Sequence, residues 1–227
     1  MSRINRNIMH VAPLEDQGSE SKAGFDYQDH CATRLLLEMV ANDEITATVC
    51  EYHEDVTQLK VNKPPCFYSI KKRESVSNWT LGILKDPIIK LFDKLKYRNV
   101  GELAILGHGR PKKGNFSLRE LIVLLDYPTA DRDTEWEHEI DGFASHIKGK
   151  WGKRISLQTI QDGLRQLTIR LDWPHPDAVA LANANLVADT IRRVWAVDPT
   201  PLVAKKATVR CWKECKPRVL DRKCPYR

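Results

Sequence analysis

The sequence predicts an α/β fold in which the elements follow the order α-β-β-β-α-β, with additional helices towards the C-terminus. Three observations lead to this prediction: an amphipathic helical pattern, then three short β-like runs separated by turn residues, then a second helical pattern that leads into a buried strand. The rest of the chain is mainly helical in pattern. This alternation of helical and strand patterns is typical of an α/β domain.

The first part of this order consists of one helix and three strands. The helix is expected over residues 25–41, where apolar residues recur at helical spacing up to the polar pair Asn42 and Asp43. Residues 62–65 (NKPP) are a turn-type insertion, so the strands on either side of them should form a hairpin. The expected strands cover residues 46–52, 55–61 and 66–71, and together they predict a small antiparallel meander.

The second part begins with a helical pattern over residues 80–97. Pro87 interrupts this pattern, because proline lacks a backbone donor. A short buried strand is expected at residues 102–106, and Ser156 is the predicted N-cap of a later helix. The remaining predicted elements are helices at residues 118–125, 135–148, 157–166 and 177–197 and a strand at residues 167–171.

Three regions are predicted along the chain. Residues 1–23 are polar and rich in serine, so we expect a flexible N-terminal arm. Residues 24–200 form the predicted main domain, which ends at a proline-containing stretch, residues 198–201. Residues 201–227 are a basic tail that contains cysteine, or the start of a module that is missing here.

Composition excludes several classes of protein. Of the 227 residues, 42% are hydrophobic and 29% are charged, as in globular proteins and unlike disordered chains. No apolar run approaches the roughly 18 residues that cross a bilayer, and residues 1–20 lack the apolar core of a signal peptide. We therefore expect a cytoplasmic protein that does not contact a membrane. Its cysteines are expected to be reduced thiols rather than disulfides.

The net charge of +6 is concentrated in the tail. The last 23 residues contain nine lysines and arginines and two acidic residues, which leaves 27 basic and 28 acidic residues in the rest of the chain. The globular part is therefore almost neutral. Binding of nucleic acid by this part has to depend on local basic clusters or on metal ions.

The candidate catalytic pair is Asp55 and Lys71. If the hairpin turn is centred near Lys63, Asp55 lies opposite Lys71, and both side chains project from the same face. A carboxylate beside an ammonium suits phosphodiester hydrolysis: the carboxylate holds Mg²⁺, and the ammonium positions water or neutralises the phosphate. Glu51 is the preferred second carboxylate, ahead of Glu54, because strand alternation puts it on the face of Asp55. Taken alone, such a pair is more often a solvated ion pair.

Several ordered segments favour the catalytic interpretation. With them, residues 23–200 resemble the endonuclease domain of bacterial anti-phage effectors of the PD-(D/E)XK superfamily, above all the CD-NTase-associated, SAVED-fused nucleases and their counterparts in STAND-NTPase and HerA-linked systems. The matching segments are GFDYQ at 24–28, EYHED at 51–55, FYSIK at 67–71, WTL at 79–81 and the strand at 102–107 with the polar loop that follows it.

The resemblance implies a restriction-endonuclease-like core that cuts double-stranded DNA with Mg²⁺, or with Mn²⁺ in its place. By this resemblance Asp55 is the metal-binding aspartate, Lys71 is the catalytic lysine, and Gln28 and Glu51 are auxiliary residues. The family has Gln or Glu two positions before the lysine, whereas this chain has Ser69, whose hydroxyl is a weaker metal ligand. This departure favours an alternative in which the same fold binds DNA or a partner without cutting.

The resemblance also implies partners. Such nucleases are toxic effectors that a sensor or oligomerisation activates, so we expect a homo-oligomer and a sensor or NTPase module or partner of the HerA-like or STAND type. The sequence contains no Gly-x-x-x-x-Gly-Lys-Ser/Thr motif, so this chain is not expected to hydrolyse ATP itself.

Two further basic regions are candidates for nucleic-acid binding. The glycine-rich loop at residues 107–114 presents Arg110, Lys112 and Lys113, although a solvated turn is an equally good interpretation. Lys72 and Arg73, which follow Lys71, are further candidates.

The tail is the basis of a different function class. Its cysteines at positions 211, 215 and 224 supply three of the four ligands of a zinc site, but no fourth Cys or His lies nearby. A zinc-dependent RNA-binding protein is therefore the alternative outside the nuclease class.

Overall fold

The computed structural model describes residues 7–10, 22–50, 54–72, 78–201, 203–204, 206–207 and 220–221. Most of the predicted arm and tail, including the three tail cysteines, lies outside the described residues. The elements in chain order are α1 (Lys22–Ala41), β1 (Ile45–Cys50), β2 (Val56–Lys60), β3 (Lys63–Lys71), α2 (Lys85–Phe92), β4 (Leu103–Gly107), α3 (Leu118–Leu125), α4 (Thr134–Trp151), α5 (Leu157–Leu164), β5 (Leu167–Arg170), α6 (Val179–Trp195) and β6 (Leu220–Asp221). The predicted α/β class is confirmed.

The chain divides into two compact units. We call the first the meander unit; it consists of Pro13–Lys72 and Pro174–Arg227. The second, the central unit, consists of Met1–Ala12 and Arg73–Trp173. None of the helices in the described part of the chain has both the length and the apolar character that a membrane span requires.

The meander unit is built on antiparallel strands. β1 pairs with β2, β2 pairs with β3, and β6 pairs with the other edge of β1. The hairpin register differs by two residues from the one expected for a turn centred near Lys63: Thr57 lies opposite Phe67, whereas a ladder with Asp55 opposite Lys71 would place it opposite Ser69. Asn62 adopts a positive φ of 53°, a conformation that asparagine tolerates, so residues 61 and 62 alone form the turn. β3 consequently begins at Lys63 and includes both prolines of the predicted turn.

A buried polar network attaches α1 to this sheet. Gln58 on β2 donates through Nε2 to the carbonyl of Leu35 on α1, at 3.0 Å, and accepts a hydrogen bond from the Tyr68 hydroxyl, at 2.9 Å. On α6, Asn183 donates to the carbonyl of His30 at 2.8 Å. Because buried polar groups are costly when unpaired, these bonds favour one position of α1 relative to the strands and to α6.

In the central unit, α2 is shorter than its sequence pattern predicts. It begins at Lys85 rather than at residue 80, and after Phe92 the chain continues as a 3₁₀ turn. Pro87 therefore lies in the first turn, where the missing N–H costs nothing, instead of interrupting a longer helix. Ile88 and Leu91 are fully buried and keep the apolar face of the pattern.

Parallel strands β4 and β5 form the sheet part of the central unit, with Leu103 opposite Leu167. α3 has the predicted bounds, and Ser117 and Glu120 form a capping box at its start. The predicted cap at the start of α5 is confirmed, because the Ser156 hydroxyl accepts from the Thr159 N–H at 3.0 Å.

Gly163 in α5 is expected to be a sensitive position for stability. A Cβ at this residue would lie 2.5 Å from ring atoms of Phe92, which is completely buried. We expect Gly163→Ala to lower the free energy of unfolding by about 2 kcal/mol through overpacking. The matched control is Gly142→Ala in α4, where a Cβ meets no atom within 4 Å, so it should instead raise stability by about 0.5–1 kcal/mol. Equal stabilities in urea denaturation would contradict the steric argument.

Candidate active site

Asp55 and Lys71 lie in contact in the meander unit. Asp55 immediately precedes β2 and Lys71 is the last residue of β3. The distance from Lys71 Nζ to Asp55 Oδ2 is 3.6 Å, and the side chains are 25% and 18% exposed. The structure thus brings together the two residues that the sequence predicted as the catalytic pair.

The pair forms even though the register differs from the expected one. A displacement of two residues leaves strand alternation unchanged, so Asp55 remains on the face of Ser69 and Lys71. Continuing the ladder by one step places Asp55 opposite Ser69, with Lys71 as its diagonal neighbour. Diagonal neighbours on a sheet are within reach of long side chains such as lysine.

The peptide group of Ile70 connects three of the predicted site residues. Its N–H donates to Asp55 Oδ2 at 2.5 Å, and its carbonyl accepts from Gln28 Nε2 on α1 at 3.4 Å. The Ile70 side chain is fully buried on the opposite face. Since Lys71 follows directly in the chain, these contacts restrict the direction in which its side chain leaves the strand.

The electrostatics of Asp55 are those of a carboxylate shielded from water. Burial raises the pKa of the Asp55 carboxyl to about 6, while the Lys71 ammonium and the Ile70 N–H oppose this rise and the charge of Glu54 adds to it. A cation that bound here would favour the ionised form, because the carboxylate lacks full solvation.

The described residues contain no ready-made cluster of metal-binding side chains. Among them there is no group of three His, Cys, Asp or Glu side chains that could hold a metal ion, as a zinc site requires. Mg²⁺ instead needs one or two carboxylates and completes its shell with water and substrate oxygens. Both described contacts of Asp55 engage Oδ2.

The other predicted metal ligands are only partly accounted for. Ser69 lies in β3 and is 2% exposed, so little of it is accessible to solvent. Glu51 lies outside the described residues, as does Arg73, which was a candidate for nucleic-acid binding.

The remaining predicted DNA contacts fall in two places. Lys72 is partly exposed and directly follows Lys71 in the meander unit. Arg110, Lys112 and Lys113 are exposed and belong to the central unit.

Sequence reasoning did not identify the Ile70 peptide or Gln58 as residues that shape the site. No pattern reveals the Ile70 contribution, because every non-proline residue carries the same amide. Gln58 did leave a signal, namely a glutamine between Thr57 and Leu59 in a strand that was expected to be buried on one side. Its contacts with Leu35 and Tyr68 support the helix that supplies Gln28.

A segment of the chain matches a known protein family. Residues 16–95 match the family described as Cap4, dsDNA endonuclease domain. The matched segment includes Gln28, Asp55, Ser69 and Lys71. No curated protein matches the chain.

Several solved structures have a similar fold. A Cap4 SAVED/CARF-domain containing receptor from Acinetobacter baumannii, with the cyclic trinucleotide 3'3'3'-cAAA, aligns with a TM-score of 0.59 and 14% identity over 87% of this chain and 41% of that chain. The Moraxella osloensis Cap4 SAVED/CARF-domain containing receptor gives a TM-score of 0.58 and 12% identity over 86% of this chain and 43% of that chain. This chain thus spans less than half the length of these receptors, and at such identities the likeness shows the fold alone.

Proposed function

We propose that this chain hydrolyses phosphodiester bonds of double-stranded DNA in bacterial anti-phage defence, with Mg²⁺ or Mn²⁺ as cofactor. The match of residues 16–95 to the family of Cap4 dsDNA endonuclease domains supports this proposal. The observation that carries the proposal is the 3.6 Å contact between Lys71 and a shielded Asp55 inside the matched segment. The proposed core is of the restriction-endonuclease type, with the chain order α1-β1-β2-β3-α2-β4.

Each residue of the site has a distinct proposed role. Asp55 holds the metal through Oδ1, with Glu51 as the proposed second carboxylate. When bound, the metal supplies positive charge that polarises water and the scissile phosphate. Lys71 neutralises charge that develops on the phosphate oxygens, an interaction that is strong where water is partly excluded. Gln28 is a positioning residue, because it acts through the Ile70 carbonyl.

Control by a sensor is part of the proposal. The similar structures are of receptors with a SAVED/CARF domain, one of them with a cyclic trinucleotide, and this chain aligns with less than half of each. We therefore propose that a sensor or NTPase module activates the nuclease, in the same polypeptide or as a partner of the HerA-like or STAND type. Two copies of the chain would act together, since a double-strand break requires hydrolysis in each strand.

Plasmid cleavage by the purified chain tests the enzymatic proposal. We expect supercoiled plasmid to be converted to linear DNA with Mg²⁺ or Mn²⁺ and to remain intact with EDTA. The double variant Asp55→Ala/Lys71→Ala is the inactive reference. Metal-dependent cutting by that variant would show that the activity comes from elsewhere. Duplex binding without cutting at any protein concentration would contradict cleavage by the chain alone, and activity would then require the sensor or partner module.

A DNA-binding module without catalysis is the second candidate. One observation favours it: Ser69 replaces the amide or carboxylate of the family pattern. Cleavage by a Ser69→Gln variant distinguishes the two candidates. Because Ser69 is only 2% exposed, the thermal midpoint of the variant is measured as well, to show that it is folded. Faster cleavage by a folded Ser69→Gln protein would show a nuclease that is limited at this position. DNA binding without cutting in both proteins would favour the binding module.

A further inference from the structure

The basic segment that follows β4 pairs with the backbone of Trp79. The Trp79 N–H donates to the Arg110 carbonyl at 2.9 Å, and the Lys112 N–H donates to the Trp79 carbonyl at 2.8 Å. These two bonds form a parallel β-bridge between Trp79 and Pro111. The backbone on both sides of Pro111 is therefore fixed by the hydrogen-bond pattern of a β-ladder.

The Trp79 side chain forms a second anchor. It is 2% exposed, and its Nε1–H donates to the His108 carbonyl at 2.9 Å. Gly109 adopts a positive φ of 139°, and a Cβ there would lie 2.8 Å from Trp79 Nε1, so the ring packs directly on the glycine. The Gly109 N–H also donates to the carbonyl of Leu171 at 3.0 Å. The start of the segment is thus attached on two sides.

This backbone separates the three cations that the sequence placed in one cluster. Side chains alternate along an extended segment, so Arg110 and Lys112 project together on the side opposite to Pro111, about 7 Å apart. Both are exposed, and neither forms an ion pair with another described residue. Lys113 lies two residues after Pro111, so alternation directs it to the side of Pro111, away from the other two.

We propose that Arg110 and Lys112 form a two-cation site for neighbouring phosphates along one strand of duplex DNA, with Trp79 as its positioning residue. The inference rests on the proposed function for the identity of the ligand, and it adds which cations bind that ligand. Prior fixation of the backbone reduces the ordering cost of binding, and a guanidinium matches phosphate oxygens in a bidentate manner. A flexible loop with three equivalent cations would not distinguish Lys113 from its neighbours.

Binding of a labelled DNA duplex to the full chain, measured by fluorescence anisotropy in EDTA over a range of salt concentrations, tests the inference. The affinity falls with salt, so the slope of log affinity against log salt is negative. We expect Arg110→Ala and Lys112→Ala each to reduce the magnitude of this slope by about 1, and the double variant to reduce it by about 2. Lys113→Ala is the matched control and should leave the slope unchanged. An equal effect of Lys113→Ala would overturn the proposal in favour of a diffuse basic patch.

Trp79→Phe tests the positioning role, because it keeps an aromatic ring and removes the donor to His108 without removing a charge. We expect it to lower the salt slope in the wild-type background and to have no further effect in the Arg110→Ala/Lys112→Ala background. If Trp79→Phe does not fold, Gly109→Ala tests the same contact, because the added Cβ would lie 2.8 Å from Trp79 Nε1. If Trp79→Phe reduced the salt slope equally in the wild-type and the Arg110→Ala/Lys112→Ala backgrounds, the positioning role would be overturned.

The DNA-binding experiment and the plasmid-cleavage experiment can fail independently. Binding in EDTA requires no catalysis, so a chain that shows the expected slopes but never cuts DNA would contradict only the enzymatic proposal. A chain that cuts plasmid DNA and shows unchanged slopes for Arg110→Ala and Lys112→Ala would contradict only the two-cation site. A chain that does not bind duplex DNA at all would overturn the two-cation site outright.

Discussion

Replacing Lys71 by methionine is expected to lower the rate of metal-dependent DNA cleavage by a factor on the order of 10³, the usual cost of removing an electrostatic stabiliser of a transition state. Methionine retains the length and apolar stem of lysine and removes only the charge. Because Lys71 faces Oδ2 of Asp55 while Oδ1 is proposed to bind the cation, the variant should keep its stabilisation by Mn²⁺. Single-turnover cleavage and thermal unfolding with and without Mn²⁺ measure the two effects.

Lys63→Met is the matched control for this prediction. Lys63 lies at the opposite end of β3, and its ammonium is 2.8 Å from Glu44 in an ion pair that is exposed to solvent on both sides. Such pairs contribute little, so cleavage by Lys63→Met should equal that of the wild type. A Lys71→Met protein that cut plasmid at the wild-type rate would exclude Lys71 from catalysis and leave its contact with Asp55 as a structural ion pair.

Asp55→Asn is expected to lower cleavage by a similar factor, on the order of 10³, and also to abolish the stabilisation by Mn²⁺. In the metal-free protein, by contrast, Asp55→Asn should raise the free energy of unfolding. The wild-type carboxylate is shielded from water and its pKa is raised to about 6, so ionisation at neutral pH weakens the folded state. Asparagine carries no charge, and its amide oxygen can still accept from the Ile70 N–H.

The pH dependence of stability checks the electrostatic part of this prediction. The folded-state pKa of Asp55 lies above the unfolded value of 3.8, so the folded protein binds more protons between these two values. In EDTA, wild-type stability should therefore fall as pH rises from about 4 to about 7, by on the order of 2 kcal/mol from this group. Asp55→Asn should lack this component, so its stability relative to the wild type should increase over that interval.

Asp177→Asn is the corresponding control, since the Asp177 side chain is 92% exposed. Its stability should follow the wild-type pH profile. An Asp55→Asn profile parallel to that of the wild type would show that the Asp55 carboxyl is better solvated than its surroundings in the fold suggest.

Local sequence patterns were sufficient for most elements. α3 has the predicted bounds, and Ser156 caps α5 as predicted, because these features depend on residues that are close in the chain. The larger errors arose where two local signals competed. Pro87 marks the first turn of a short helix rather than an interruption of a long one, and Asn62 shortens the hairpin turn that the neighbouring prolines were expected to form.

In the candidate site, too, strand alternation was predicted correctly while the exact register was not. Asp55 and Lys71 were predicted to share a face, and they do, because alternation has a period of two and the register error was also two residues. Their roles in metal binding and catalysis, like those of Gln28 and Ser69, stay predictions that the variants test. The function class itself came from the order of several short segments, since an isolated carboxylate and lysine on a hairpin are common on protein surfaces.

Sequence alone was enough to identify the α/β class, the pair Asp55 and Lys71 and the basic character of the loop after β4. Each of these depends on residue type and on short-range periodicity. Only the tertiary structure decided that the Ile70 peptide links Asp55 to Gln28 and that Trp79 pairs with the backbone around Pro111. These contacts join groups that are 15 to 42 residues apart in the sequence, and a backbone amide has no signature in the sequence.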